Sequence, residues 1–336
     1  MTMSYLNISR TISRTFASSA CTGHCQRLFM RALAALMCIA LTSFARAEQK
    51  NSSPGTSTEV EALMARVGPP SQQSLDEFKN AGMEGVRPHT LTAPERTKVE
   101  AALTSLPALN RHVLEKRLHY LAFVDGIPGE GTGLTSPAEE KGLYDITLRA
   151  SIVDERLSTF LTTKERRLFV ADGSGNVVTV NGTGADALTY VLLHESTHVT
   201  DLACSVTTQP HSPFLANVWA GPKEMVPPLA SSFAATTVFR GGHPIAISNA
   251  ATLYDALAQT PFVSLYATAS PREDFAELVA WHEVMKHDHG NLVIALEDAR
   301  GKTLRQWEPL TFPGVQRRFA DVDRLLSSSQ SCSSIS

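Results

Sequence analysis

"VLLHESTHVTD", residues 191–201, carries two histidines four positions apart, with a glutamate directly after the first and an apolar run leading into them. Residues 184–203 read as one helix, capped by Asp186 or an earlier residue. On a helix, positions four apart sit about 40° from one another, so His194 and His198 project from one face on successive turns. Two neutral imidazoles so placed grip one Zn²⁺, and Glu195 projects to the side where a water beside the metal would stand. The competing reading is a polar face on an ordinary helix. Against it, the preceding "YVLL" (190–193) is apolar and calls for burial, and polar residues buried with it need partners. A metal ion provides them.

Two histidines leave a zinc site one protein ligand short. The longer pattern HExxHxxGxxH fails in this chain, because Asp201 stands at the Gly position and Cys204 at the third His. A helix that runs on without that glycine carries Cys204 away from the metal. Glu273, in "EDFAE" (273–277), is the better third ligand. A helix is predicted over 271–286, with Pro271 near its first position and Glu273 and Asp274 favourable to its dipole. Glu273 and Glu277 share one face of it, so one carboxylate binds the metal while the other accepts the N–H of a ligand histidine.

These residues resemble the gluzincin metallopeptidases, and more closely the family of the anthrax lethal factor catalytic domain. The pattern there is HExxHxxD, then a Tyr seven residues ahead of the ligand Glu, then E-x-F-A-E. In this chain Asp201 stands three after His198, Tyr266 seven before Glu273, and 273–277 reads EDFAE. The resemblance implies that His194, His198 and Glu273 bind Zn²⁺, that Glu195 is the general base, and that Tyr266 stabilises the oxyanion. Asp201 and Glu277 would orient the ligand histidines. It implies an α+β, zincin-like fold: a twisted mixed sheet over the HExxH helix and a mainly helical C-terminal part. An edge of that sheet, within 142–152 or 167–182, is expected to take an extended peptide by strand addition. The likeness covers 191–201 and about 266–277, with 74 residues between His198 and Glu273, so no substrate carries over.

The chemistry expected is that of a metallopeptidase acting on a protein or peptide. The metal acidifies a water, Glu195 takes the proton and later gives it to the departing amine, and Tyr266 donates to the carbonyl oxygen. Two alternatives stand beside it: a non-catalytic periplasmic zinc-binding or interaction protein, and a zinc amidohydrolase acting on cell-wall peptides. A purely structural site needs neither Glu195 nor Tyr266.

With 43% hydrophobic and 19% charged residues in 336, the chain has apolar content for a sizeable core and is neither fibrous nor wholly disordered. Residues 1–47 contain no acid, hold an apolar run at 32–41 and end in Ala45-Arg46-Ala47, which reads as a secretory signal peptide, with Met30 as an alternative start. The competing reading is an organellar transit peptide, since "SRTISRTFASSA" is rich in Arg and Ser. The apolar run is short for a membrane span. Removing residues 1–47 takes five arginines, so the mature chain carries a formal charge of about −8 in place of −3. That balance argues against nucleic acid or an anionic membrane as partner, and no membrane insertion is expected after signal cleavage. The location expected is the periplasm or the exterior. Cys204 and Cys332 then remain, as one disulfide or as two thiols.

Residues 48–90 read as a flexible linker or pro-segment, 91–326 as the catalytic domain and 327–336 as a Ser-rich tail, frayed unless Cys332 fixes it. A helix over 91–118 is capped by Thr92. Strands are predicted at 120–127, 144–152, 167–173 and 176–182, the last two as a hairpin across Asp172-Gly173 and Gly175-Asn176. Residues 205–262 are Pro-rich and form a loop-rich insertion with short helices. His282, His287, His289, His211 and His243 are assigned no part in the site.

Overall fold

The computed structural model describes residues 54–336, apart from 130, 210, 211, 238, 240–242, 328–331 and 333–336, so the signal peptide expected over 1–47 lies outside the described residues. The first helix, α1 (Pro54–Met64), buries Val60 and Leu63 in the main core. Just after it, Arg66 donates to Glu115 O at 2.6 Å and Leu114 O at 3.1 Å. Helix α2 (Gln72–Asn80), capped by the Ser71 hydroxyl on Ser74 N, and strand β1 (Glu84–His89) follow. This corrects the linker reading: from residue 54 to 90 the chain is an integral layer of the domain. The two core side chains of α1, Val60 and Leu63, sit one turn apart among Ser, Gly and Pro, too few to give a period, and Gly85 and Pro88 disguise the strand.

Helix α3 (Ala93–Ser105) starts where expected, with Glu95 accepting from both Thr92 N and Thr92 Oγ1 at 2.7 Å. The single helix expected over 91–118 is two. Pro107 forces Leu106 to an extended ψ of 148°, and α4 (Ala108–Arg117) begins beyond it.

Strands β2 (Leu118–Ile127), β3 (Gly133–Pro137) and β4 (Tyr144–Arg149) join β1 in a four-stranded sheet of order β1-β2-β4-β3. β2 and β4 run parallel and the outer pairs antiparallel, so the sheet is mixed and the domain α+β. The predicted strand at 144–152 is therefore interior, and the edge next to the helical layer is β3.

After α5 (Leu157–Arg166), the expected hairpin over 167–182 does not form. β5 (Phe169–Val170) pairs in parallel with the later β7 (Ile245–Ala246), while β6 (Val177–Gly182) pairs with β8 (Leu292–Glu297). The turn residues are present, but the apolar face of β6 finds a longer partner in β8. β8 also pairs with β9 (Thr303–Trp307), so the C-terminal part is less purely helical than expected.

The two longest helices spring from this β6–β8 pair. α6 (Ala187–Cys204) leaves β6 and α9 (Pro271–Asp288) enters β8, with Gly182 opposite Leu292 and Thr183 N bonded to Asn291 O at 3.0 Å. They run antiparallel in register: Tyr190 meets Trp281, His194 meets Glu277, and His198 meets Glu273, one turn at a time. Between them lie the short α7 (Pro227–Ala230), β7 and α8 (Ala250–Ala258), the loop-rich insertion expected, and α10 (Pro313–Ser327) closes the fold. Among the described residues no helix is long and apolar enough to cross a membrane.

Candidate metal centre

Helix α6 is buried nearly all round, with α3, α4, α5, α9 and β3 packed on it. Asp186 caps it, accepting from Thr189 N at 2.7 Å. Its roll about its own axis is set by Asn110 of α4, whose Nδ2 donates to Ser196 Oγ at 3.0 Å and Thr197 Oγ1 at 3.1 Å. Those hydroxyls in turn donate to Leu193 O. The "ST" of HESTH is thus a fixing point that holds the flanking histidines towards α9.

On α9, the Ser270 hydroxyl caps Glu273 N at 3.3 Å and Pro271 is the first residue, so Glu273 stands third in the helix, within its first turn as predicted. His194 Nε2 lies 3.1 Å from Glu273 Oε2 and 3.1 Å from His198 Nε2, and His198 Nε2 lies 3.5 Å from Glu273 Oε2. Donors about 2.0–2.1 Å from a tetrahedral Zn²⁺ are separated by about 3.3 Å, so this triangle has the size of one face of such a site. Two imidazole nitrogens and a carboxylate converging from buried or half-buried positions are also the right chemistry for it. His194, His198 and Glu273 form a buried group that fits a metal ion.

Two carboxylates crowd His194. Burial pulls its pKa down, yet Glu273 and Glu277 overcome this and raise it to about 10. Burial raises Glu273, but the two histidines hold it well below the usual carboxylate range. The negative charge gathered on these carboxylates favours a cation at this point.

Glu277 supports His194 from behind. Its Oε1 lies 3.2 Å from His194 Nδ1, without the alignment of a full hydrogen bond, and accepts from Tyr190 Oη at 2.6 Å. Its Oε2 accepts from Ser264 Oγ at 2.5 Å. Burial pushes this carboxyl up, but Lys164, His194 and Ser264 bring it down to about 2. Asp201 sits otherwise than expected: it is buried and accepts from Thr207 N at 2.7 Å and Thr207 Oγ1 at 2.6 Å. Its contacts fasten the turn after α6, and a ligand histidine is not among them.

Glu195 is no part of the donor triangle. Its Oε2 accepts from Thr135 Oγ1 of the edge strand at 2.7 Å, and Gly133 lies directly against it. Tyr266 sits in a 3-10 turn ahead of α9, with its ring 5.9 Å from that of His194 and edge-on to Phe239 at 5.2 Å. Burial and then the carboxylates of Glu273, Glu195 and Glu277 push its phenol well above the usual tyrosine range, so it stays a hydrogen-bond donor. Glu195, His194, Glu277 and Tyr266 all line one cavity of about 720 Å³, together with Gly129, Gly131 and Gly133.

Sequence reading missed Thr135, Gly133 and Lys164. "GEGTGLTSP" (129–137) carries turn residues throughout, and β3 tolerates them because an edge strand needs only one bonded side. Cys204 is no metal ligand: α6 ends there, Ser205 takes a left-handed φ of 56°, and Cys204 forms a disulfide with Cys332. That bond fixes Cys332 of the Ser-rich tail. His282 is buried against Glu283 and Asp323, and His287 pairs with Glu283, both away from the triangle. His243 is exposed, and His211 lies outside the described residues. Compared with family models, curated proteins and solved structures, the chain matches none.

Proposed function

We propose that this chain is an exported zinc-dependent metallopeptidase of gluzincin type with a zincin-like fold. The observation that carries it is the division of labour along one cavity wall. Three donors form a metal-sized triangle, while Glu195 is kept out of it and Tyr266 remains a donor. A stability site has no use for the last two.

Zn²⁺ held by His194, His198 and Glu273 would supply Lewis acidity to a water and to the scissile carbonyl. Glu195, oriented by Thr135, takes the proton on a carboxylate oxygen and delivers it to the departing nitrogen. Tyr266 donates its O–H to the developing oxyanion. Glu277 holds His194 with Nε2 towards the triangle. Thr135 also places the base beside the unpaired edge of β3, and a peptide lying along that edge in extended form would bring its carbonyl past Glu195. The strand at 133–137 thus replaces 142–152 and 167–182 as the substrate edge. The disulfide between Cys204 and Cys332 suits an oxidising compartment and supports export.

The test is to measure bound zinc and hydrolysis of a peptide library by the purified chain, its chelated form, Glu195→Gln and Glu273→Ala. Glu195→Gln is expected to keep about one zinc per chain and lose at least about 100-fold in kcat. Glu273→Ala and chelation are expected to lose both metal and activity. Full activity in Glu195→Gln, or normal zinc binding in Glu273→Ala, would overturn the assignment.

A further inference from the structure

Lys164 of α5 has no role in the reading above, yet it touches two of its residues. Its ammonium lies 3.6 Å from the centroid of the Tyr266 ring and 3.9 Å from Glu277 Oε1. It lines the same cavity and is about a quarter exposed. A lysine over the face of a half-buried tyrosine, pinned by a buried carboxylate, is costly to arrange unless the charge is used.

Three facts converge on that use. First, Tyr266 lines one cavity with the carboxylates of Glu195 and Glu277, whose charge disfavours a further negative charge developing beside them. A cation over the ring draws electron density from it and opposes them, so the O–H becomes a stronger donor to a developing negative charge. Second, the ring is held from one side by Phe239 edge-on at 5.2 Å, and the Lys164 ammonium provides a second fixed contact. Third, Glu277 anchors the ammonium with the same oxygen that lies beside His194 Nδ1, so the ring contact and the support of His194 share one carboxylate.

Resting on the peptidase reading, we infer that Lys164 is a positioning residue, which holds Tyr266 and strengthens its O–H as the donor to the oxyanion. Lys164 itself does not touch the scissile bond. Its effect therefore falls on kcat rather than KM, and vanishes when Tyr266 has no hydroxyl.

The test uses the zinc-loaded full chain with Lys164→Met and Lys164→Arg, each alone and combined with Tyr266→Phe. One readout is independent of activity. In chain labelled with 3-fluorotyrosine, the Tyr266 ¹⁹F resonance is assigned by its absence in Tyr266→Phe, a tractable task with six tyrosines in the chain. Lys164→Met is expected to shift that resonance, and Lys164→Arg to restore most of its position, with zinc content unchanged in both. In hydrolysis, Lys164→Met is expected to lower kcat about 10-fold with KM within about 2-fold, and to cost nothing further in the Tyr266→Phe background. An unmoved resonance overturns the inference whatever the chain hydrolyses. So does an additive loss in the double variant, or an arginine no better than methionine. Wild type that binds zinc but hydrolyses no peptide sinks the peptidase reading instead, and this role with it.

Discussion

Gly133 lies so close to Glu195 that a Cβ built on it would stand 2.4 Å from Glu195 Oε1. No side chain other than hydrogen fits between the edge strand and Glu195, so the glycine sets how near β3 runs to the helix carrying His194 and His198.

Gly133→Ala is therefore expected to displace the Glu195 carboxylate without touching the triangle. A shift of about 1 Å in a catalytic group costs about 100-fold in rate, and that is the loss predicted for kcat with zinc content and melting temperature near wild type. Wild-type kcat in this variant would show that Glu195 has slack and that β3 does not position it.

A buried ion pair fastens the helix that carries Glu273. Asp274, the next residue, accepts from Arg318 Nη1 of α10 at 2.7 Å and from Trp219 Nε1 of the insertion at 2.7 Å. Burial raises the Asp274 pKa, and Arg318 and Trp219 oppose it. Arg318→Met leaves the carboxylate without its cation and is expected to destabilise the chain by about 3–5 kcal/mol in denaturant unfolding. Asp274→Asn combined with it should recover much of the loss. A single variant costing under about 1 kcal/mol would mean the pair is incidental.

What could be read from the sequence, and what could not, follows from the reach of each signal. His194 and His198 lie on one long helix and Glu273 and Glu277 on another, where spacing four apart dictates a shared face, and Glu195 follows from standing next to His194. The pairing of those helices needs β6 beside β8, more than a hundred residues apart, which no local pattern records. Asp274 reads as an acid favourable to the helix dipole, yet it points about 100° away from Glu273, onto Trp219 of the insertion and Arg318. Lys164, Thr135 and Asn110 were illegible for another reason: each is an ordinary residue in its own element and acquires a role from a neighbour distant in sequence.

The partly buried Glu165 predicts a pH dependence apart from the metal. Burial raises its pKa to about 7, against the opposing Tyr254 hydroxyl at 2.6 Å and Lys164, with Glu277 adding to the rise. Below about pH 4.5 the carboxyl is protonated in folded and unfolded chains alike, and it carries no penalty. From about pH 4.5 the unfolded chain ionises it while the folded chain keeps it protonated, so stability falls, by up to about 3 kcal/mol, until the folded carboxyl also ionises near pH 7 and the curve levels off. Glu165→Gln keeps an acceptor for Tyr254 and removes the titration. It should match wild type at pH 4 and exceed it at pH 8 in chemical unfolding; parallel curves would refute the assignment.

The Cys204–Cys332 disulfide closes a loop with a sequence separation of 128. Cys204→Ser is expected to cost about 2–4 kcal/mol, and a reductant should bring wild type to the same midpoint while leaving the variant unmoved. Wild type insensitive to reductant would show that the bond does not form in solution.

The same bond and the Arg318 pair impose an order in time. The helix bearing His194 and His198 is secured at its end by Cys332, and the helix bearing Glu273 by Arg318, both of which leave the ribosome after the residues they secure. During synthesis His194, His198 and Glu273 all emerge before either of their fasteners. Maturation of the group therefore waits on late chain segments and on oxidation, and until both are in place the two helices that carry it are loosely held.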